Sequence, residues 1–562
     1  MRRFAEVFFL FLLFLSSVAN SQSLLKDKKN ESIDSILSTR GEAYIGIIPS
    51  ARKSFQIQLP ELAPAKVTDS LIYFFVNKDM FSKILETGLN YQVYTAPSML
   101  GFVKMATSLD EVLNGQAYPT YQQYLDLMER FSNNYPELCK IDTIGYSING
   151  RLILAARLHR GQFKDGERPV VFYSSTMHGN EVIGYSLMLM LINDFLVNSE
   201  NSPQISSILD DLEVIINPLS NPDGTYFLSD TSFFGNKRSN LNNIDLNRNF
   251  HDVRSLIKYT YQGLQKENLA MVKYMEKNRP NMSANFHAGA EVLNYPWDSW
   301  DPNEKALADE NWFIEICKDY VQTARSTDMS YLQLYPEGYV FGSIWYRIAG
   351  GRQDFVTYSL HGREITIELS NDFIPAASQI PDFWTKNHLA LIDLIEKARF
   401  GVHGTIINSV SANPMKAKIE ISGYDKNESY ILSNPVTGKF FRYLPEGDYS
   451  LTITASGYRS ETIRVEVNKK ETTNLEVRLI PIHKEILVKT IPGKNDLEIT
   501  LKDDDSEVFT ADLYDLSGRK IQENIFIGSS GTVKGFKAHG IYILKVKSEY
   551  QQISRLVFFP FP

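Results

Sequence analysis

Cysteine is nearly missing, with Cys139 and Cys317 the only two in 562 residues. No disulfide framework can therefore stand in for a core, although an oxidising compartment would permit one bridge between them. No basic run stands out, and the formal net charge is -8 at pH 7. Nucleic-acid phosphates require a concentrated basic face, so DNA and RNA are set aside as partners. Beyond the first residues, no stretch is apolar for the roughly 20 residues that a bilayer crossing needs. What is present is the balance of ordinary folded protein, 43% apolar and 22% charged residues, rather than that of a disordered or fibrous chain. Single hydrophobic cores stop growing at about 250 to 300 residues, so this length implies several domains.

The beginning of the chain reads as an export signal. Arg2 and Arg3 precede an apolar run over 7–15 and then the small residues Ser16, Ser17, Ala19 and Ser21. That apolar core is about half a membrane span, so residues 1–22 are expected to be a cleaved signal peptide rather than an anchor. Residues 23–115 alternate short β-rich runs, "EAYIGII", "LIYFFV" and "YQVYT", with a helical stretch over 79–88, which predicts a small α/β domain. Over 116–400 the pattern is that of a larger α/β domain. "PVVFYSS" (169–175), "LEVIINP" (212–218), "MSANFH" (282–287) and "EITIELS" (364–370) read as buried strands with amphipathic helices between them. The run "YQQYLDLMERF" (121–131) puts Tyr121, Tyr124, Leu125 and Met128 on one helical face, and "VIGYSLMLMLINDFL" (182–196) is apolar enough to pack fully against a sheet. After 401 strand-like alternation with Gly, Pro and Asn turns continues to the end. It predicts two all-β sandwich modules, 401–481 and 482–562, with the acidic "KDDDSE" (502–507) as a solvated loop.

The chemistry is concentrated in the second α/β region. "YSSTMHGNEVIG" places His178 and Glu181 three residues apart where a strand ends and a helix begins, a spacing that can aim both at one ion. Taken alone this is weak, since with 9 His and 66 acidic residues in the chain about one such pairing arises by chance. A second histidine, His287, ends another predicted buried strand in "SANFHAGAEVLNYPWD" (283–298), next to a glycine loop. Two His and one Glu form a ligand set used by catalytic zinc, and it leaves a fourth position for water.

With these residues the chain resembles the zinc metallocarboxypeptidase family, and within it the carboxypeptidase N/E branch. His-Gly-Asn-Glu (178–181) matches the branch's ligand motif. Asn-Pro-Asp-Gly (221–224), "DLNRNF" (245–250), "GGRQDF" (350–355) and "ITIELS" (365–370) follow in family order. The resemblance implies one Zn2+ per chain held by His178, Glu181 and His287, with Asp245 orienting the first histidine. It implies that Asn247 and Arg248 clamp the substrate's terminal carboxylate, which suits a planar guanidinium. Glu368 would be the general base and Arg238 would offset charge on the carbonyl oxygen. Tyr346 would close over bound substrate. Glu364 shares strand parity with Glu368, so alternation cannot choose between them; the family motif selects Glu368. Asp298 and Gln353 hold the positions at which the branch recognises C-terminal Lys or Arg. His251 and His361 read as ordinary polar residues.

The implied fold is a mixed-sheet metallocarboxypeptidase domain, preceded by the small α/β domain and followed by the two sandwiches. The implied partners are peptide or protein C-termini, met by a monomer. Residues 401–481 look like the transthyretin-like module of the same branch. Residues 482–562 resemble a type IX secretion sorting domain through "LYDLSGRKI" (513–521) and "GIYILKVK" (540–547), although "TIPGKNDLEI" (490–499) replaces its usual opening. That would make the protein secreted or surface-attached in a Gram-negative bacterium, in contact with the secretion machinery. The role of 23–115 stays open between inhibition and accessory packing. Competing functions are a cell-wall-peptide or deglutamylating peptidase on the same scaffold, and an inactive surface-binding relative.

Overall fold

The computed structural model describes residues 32–559 apart from 49–61, 63, 69, 483–485, 492–493, 495, 502–507, 529, 535–539 and 548–551. The expected signal peptide over 1–22 and the acidic loop over 502–507 lie outside the described residues. Among those described, no helix is long and apolar enough to cross a membrane.

The first unit begins with helix α1 (Ile33–Arg40), which Ser32 caps and Gly41 ends in a left-handed turn. Strands β1 (Ala43–Ile47), β2 (Lys66–Val67) and β3 (Ile72–Val76), helix α2 (Lys78–Thr87) and strand β4 (Tyr91–Tyr94) follow. The four strands pair in the order β2-β3-β1-β4. Leu37, Ile45, Phe74, Phe81 and Ile84 form their core. Alternation in β3, buried at Ile72, Phe74 and Val76, is what one helix-covered face demands.

Helix α3 (Tyr121–Asn134) opens the main unit, and a capping box between Thr120 and Gln123 starts it. Its buried face is Tyr124, Leu127, Met128 and Phe131. Tyr121 and Leu125, expected on that face, are only half-buried; the helix turns its seam one position further round to meet the sheet. Then come β5 (Cys139–Tyr146), β6 (Leu152–Leu158), β7 (Val170–Ser175), helices α4 (Ile183–Val197) and α5 (Pro203–Asp211), and β8 (Glu213–Asn217). Helix α6 (Lys266–Asn278), β9 (Met282–His287), β10 (Ala290–Tyr295), α7 (Glu310–Arg325), β11 (Tyr339–Phe341), β12 (Arg363–Ser370) and α8 (Ile380–Glu396) complete it.

Eight strands make one mixed sheet in the order β11-β10-β12-β9-β7-β8-β6-β5. The four central strands, β12, β9, β7 and β8, run parallel. Helices α3, α4, α5, α7 and α8 cover one face, and α6 with neighbouring loops covers the other. Burial on both faces is why these strands read as continuous apolar runs. Helix α4 lies beneath the other helices and is buried all round its first ten residues, matching its unbroken apolar sequence. Cys139 and Cys317 are both free and buried. Desolvation pushes the Cys139 thiol up to about 12, so it is inert at neutral pH.

Strands between 401 and 479 form facing sheets of three and four strands around Val402, Ile406, Ile419, Leu451 and Val477. This unit is joined to the main one through buried charge. Arg442 donates to Asp309 at 2.8 and 3.0 Å and to Asp425 at 2.6 Å. Arg363 donates to Asp309 at 2.6 Å and to the Ser429 carbonyl at 2.7 Å. A second pair of sheets follows between 486 and 559, closed over Ile499, Phe509, Leu513 and Leu544.

Candidate metal centre and substrate cleft

The chain leaves β7, forms β8 on one side of it, and returns as β9 on the other. A crevice opens at such a reversal, beyond the carboxyl ends of the parallel strands. His178 lies just after β7, His287 is the last residue of β9, and Glu368 stands beside His287 in the register of β12 on β9. Three adjacent strands thus deliver three functional side chains to one place.

The loop after β7 is fixed by the Asn-Pro-Asp-Gly turn. Asn221 donates through Nδ2 to the Met177 carbonyl at 3.1 Å and accepts from the Gly224 amide at 2.9 Å. A Cβ at Gly179 would lie 2.3 Å from the Gly224 carbonyl carbon, so only glycine lets the two turns meet. The sequence reading treated Asn-Pro-Asp-Gly as a family marker; its function here is to hold up the ligand loop.

His178, Glu181 and His287 are buried, and their donor atoms lie within 4.8 Å of one another. His178 Nδ1 is 2.9 Å from Glu181 Oε1, His287 Nδ1 is 2.8 Å from Glu181 Oε2, and the two Nδ1 atoms are 3.0 Å apart. Burial alone would raise the Glu181 carboxyl, but the facing His178 and His287 outweigh it and hold it below the usual range. Burial lowers His287 to about 4, favouring the neutral ring that a metal requires. His178 Nε2 meets Asp245 Oδ1 at 3.0 Å. A proton held there leaves the Nδ1 lone pair facing inward. Behind His287, Asn285 Nδ2 lies 2.7 Å from Nε2, while the buried Oδ1 of the same amide has no partner. A half-turn of that amide puts Oδ1 on a protonated Nε2 and bares Nδ1. The donors, their geometry and their supports fit zinc. Asn285 went unnoticed in the sequence; its one signal was its place two residues before His287 on the same strand face.

Glu368 is 7% exposed, its Oε2 is buried without a partner, and it lines the cleft. Burial and then the charge of Glu181 push its carboxyl well up, against the pull of Arg238. Glu364 is separated from this chemistry. Fully buried, it accepts from Arg352 Nε at 2.8 Å and from the Ser283 hydroxyl at 2.7 Å, away from the cleft.

Arg238 donates from Nε to Asp245 Oδ2 at 3.0 Å and from Nη1 to Glu181 Oε1 at 2.9 Å. Asp245 also accepts from the Asn247 amide at 2.8 Å, so one carboxylate orients a ligand, an arginine and the turn bearing Asn247 and Arg248. Asn247, Arg248 and Tyr346 all line the cleft. Asn247 Oδ1 accepts from the Arg352 amide at 2.9 Å, and Arg248 Nη1 donates to the Asn247 carbonyl at 2.8 Å. The Gly-Gly pair is needed here too: a Cβ at Gly350 would fall 2.6 Å from the Arg248 carbonyl oxygen. His251 packs near the Tyr259 ring and His361 bonds the Glu428 carbonyl, both apart from the donor cluster.

At one end of the cleft stands Asp298, 6% exposed. Burial, then neighbouring Asp354, push its carboxyl well up, while Arg248 opposes them. Gln353, expected to touch substrate, stands behind the wall instead. Its Nε2 donates to Asp298 Oδ1 and to Asn294 Oδ1, both at 2.9 Å, and it is 2% exposed. Helical backbone right after the Gly-Gly turn directs it inward. Both Asp354 oxygens accept backbone amides, of Asp298 and Ser299, at 2.8 Å, so this loop is held from beneath. The cleft is also bounded by Pro64 and Ala65 of the first unit.

Residues 124–390 match the family described as zinc carboxypeptidase, and residues 406–483 match the PEGA domain family. The human carboxypeptidase N catalytic chain is 30% identical over 396 residues, covering 64% of this chain and 85% of that protein. Carboxypeptidase E of Caenorhabditis elegans is 29% identical over 426 residues, covering 67% and 88%. Carboxypeptidase D of Anas platyrhynchos is 28% identical over 432 residues. The chain matches 73% of its own length to that relative but spans only 30% of the relative's. Among solved structures, carboxypeptidase A from Helicoverpa armigera aligns at 17% identity with a TM-score of 0.47, covering 64% of this chain and 98% of that one.

Proposed function

We propose, from the premise that this chain belongs to the zinc carboxypeptidase family, that it hydrolyses the last peptide bond of peptides and prefers Lys or Arg at that end. The observation that carries this reading is one cleft holding a three-donor cluster, an unpartnered buried carboxylate oxygen and Arg248. His178, Glu181 and His287 would hold the ion. When bound, zinc supplies Lewis acidity that polarises a carbonyl and acidifies water.

The protein's own groups do the rest. Arg248 receives the terminal carboxylate through paired N–H groups, with Asn247 beside it, which restricts the reaction to chain ends. Glu368 Oε2 takes a proton from water as the water oxygen bonds to the carbonyl carbon. It returns that proton to the amine nitrogen as the C–N bond breaks. Arg238, anchored on Asp245, offsets the negative charge that grows on the carbonyl oxygen. Tyr346 lies at the cleft wall, where it can cover bound substrate.

Preference for Lys or Arg rests on Asp298. With its carboxyl pushed up by burial, it is held ready for a cation, whose arrival restores the ionised form. An acidic side chain gains no such ion pair there, which disfavours the deglutamylating alternative. The test uses purified protein on matched peptides ending in Arg, Lys, Phe, Leu and Glu, with and without a zinc chelator. Chelator-sensitive release of Arg and Lys is expected, and no release from any peptide would leave a surface-binding protein.

The remaining proposals concern setting. The apolar and small-residue pattern of 1–22 supports export, and the paired sheets of 401–481 support a transthyretin-like module, alongside the PEGA match. The β-sandwich over 486–559 with its "LYDLSGRKI" segment supports a sorting domain that meets secretion machinery. We read the enzyme as a monomer released or attached at the cell surface.

A further inference from the structure

The loop that carries Arg238 is gripped from outside the main unit by three consecutive residues. Arg40, Gly41 and Glu42 join α1 to β1 in the first unit. Glu42 is 2% exposed. Its Oε1 accepts from the Arg238 amide at 3.0 Å, and its Oε2 accepts from the Ser239 amide at 3.1 Å and the Ser239 hydroxyl at 2.6 Å. Arg40 works on the same loop with the opposite polarity. It donates to the Gly235 carbonyl at 3.0 Å, to the Asn236 carbonyl, and to the Ser98 hydroxyl at 3.1 Å, and lies 3.5 Å from Glu42 Oε1.

A guanidinium thus takes the carbonyls before Arg238 while a carboxylate takes the amides at and after it. Both are charge-assisted bonds made by largely buried side chains, where they are strong. Gly41 sits at φ 77, and a Cβ there would overlap the Asn243 side chain, so the grip closes only over a glycine. Asn77 adds a bond to the Asn243 carbonyl at 2.9 Å.

A domain that blocks a cleft would put a side chain on the donors or on Arg248. Among the described residues of the first unit, only Pro64 and Ala65 reach the cleft, and neither side chain can bind a metal or a guanidinium. Glu42 instead, apart from its ion pair with Arg40, directs its bonds at the Arg238 and Ser239 amides and the Ser239 hydroxyl.

We propose that Glu42, with Arg40, is a positioning residue for the hydrolysis described above, which gives the first unit a part in the working enzyme. The inference rests on the carboxypeptidase reading for its kinetic effect, but the grip itself is measurable without turnover. In the full chain, Glu42→Ala is expected to lower kcat about tenfold to a hundredfold, part of what losing an oxyanion partner costs. KM should move less than about twofold, zinc content should not change, and the Arg238 and Ser239 amides should lose hydrogen-exchange protection. Glu42→Gln, which keeps one acceptor and the same volume, should give a smaller loss and serves if the alanine variant does not fold.

The deciding comparison is a double-mutant cycle. In an Arg238→Ala background the Glu42 substitution should cost less than about threefold, because the group it positions is gone. An equal loss in both backgrounds, a rise in turnover on Glu42→Ala, or unchanged loop protection would each overturn the proposal. If the unmutated protein releases nothing from any peptide, the functional reading fails, and the exchange measurement still decides whether Glu42 holds the loop.

Discussion

Two glutamates four residues apart on β12 are expected to respond oppositely to the same change. Glu368→Gln removes a cleft carboxylate whose buried Oε2 has no partner while keeping its shape. Loss of a positioned general base costs about 10²- to 10⁴-fold, or about 2.7 to 5.5 kcal/mol in the barrier. Stability should not fall, because no hydrogen bond to Oε2 is lost and the repulsion from Glu181 is relieved. Glu364→Gln breaks a pair in which both side chains are fully buried, 2.8 Å from Arg352 Nε. Removing one partner of such a pair costs about 3 to 5 kcal/mol. At about 1.3 °C per kcal/mol for a cooperative block of roughly 360 residues, melting should drop roughly 4 to 7 °C, with kcat per folded molecule close to the parent's. The assay is zinc content, thermal melting and steady-state kinetics on one Arg-terminated peptide for all three proteins. Zinc-loaded Glu368→Gln turning over within about threefold of the parent would refute the assignment, as would a folded Glu364→Gln without activity.

Asp298→Ala should reduce kcat/KM for Arg and Lys substrates by about 10- to 150-fold, the worth of a hydrogen bond to a charged group, while Leu and Phe substrates change little; equal losses would remove Asp298 from specificity. Asp245→Asn should weaken zinc about 10- to 100-fold, as supports behind ligating histidines do, read by competition with a chromophoric chelator. In the sandwich over 401–479, burial lowers His403 from 6.5 to about 4. The folded state therefore refuses a proton that the unfolded chain takes, so stability present above pH 6.5 is lost as pH falls towards 4. His403→Phe should flatten that part of the melting-temperature profile.

The buried strands were legible because a strand covered on both faces must be apolar throughout, as in β7 and β8. The donor cluster was legible because its residues end strands or follow them closely, and a motif preserves such short spacing. Glu364 and Glu368 could not be told apart by alternation, since both point to one face; what separates them is depth along β12, which depends on how far Arg352 reaches. Gln353 stands behind Asp298 rather than in the cleft lining, because sequence gives nearness to the cleft but not which way a helical residue faces. Glu42 was beyond reach altogether. Its partners lie 196 and 197 residues away, and no local pattern encodes a carboxylate that closes on another domain's backbone.

The charges buried between the main unit and the following sandwich bear on how the protein can be divided. Asp309 sits between Arg363 of its own unit and Arg442 of the next, and Arg442 in turn holds Asp425. A cut near residue 400 would not free an intact peptidase core, because Asp309 would lose one of its two cations and Arg363 would lose the Ser429 carbonyl. Undoing such bonds costs several kcal/mol per stranded ion. The two units are therefore expected to melt as one cooperative block in calorimetry, and a protease that nicks the connection should gain little unless it also pulls the seam apart.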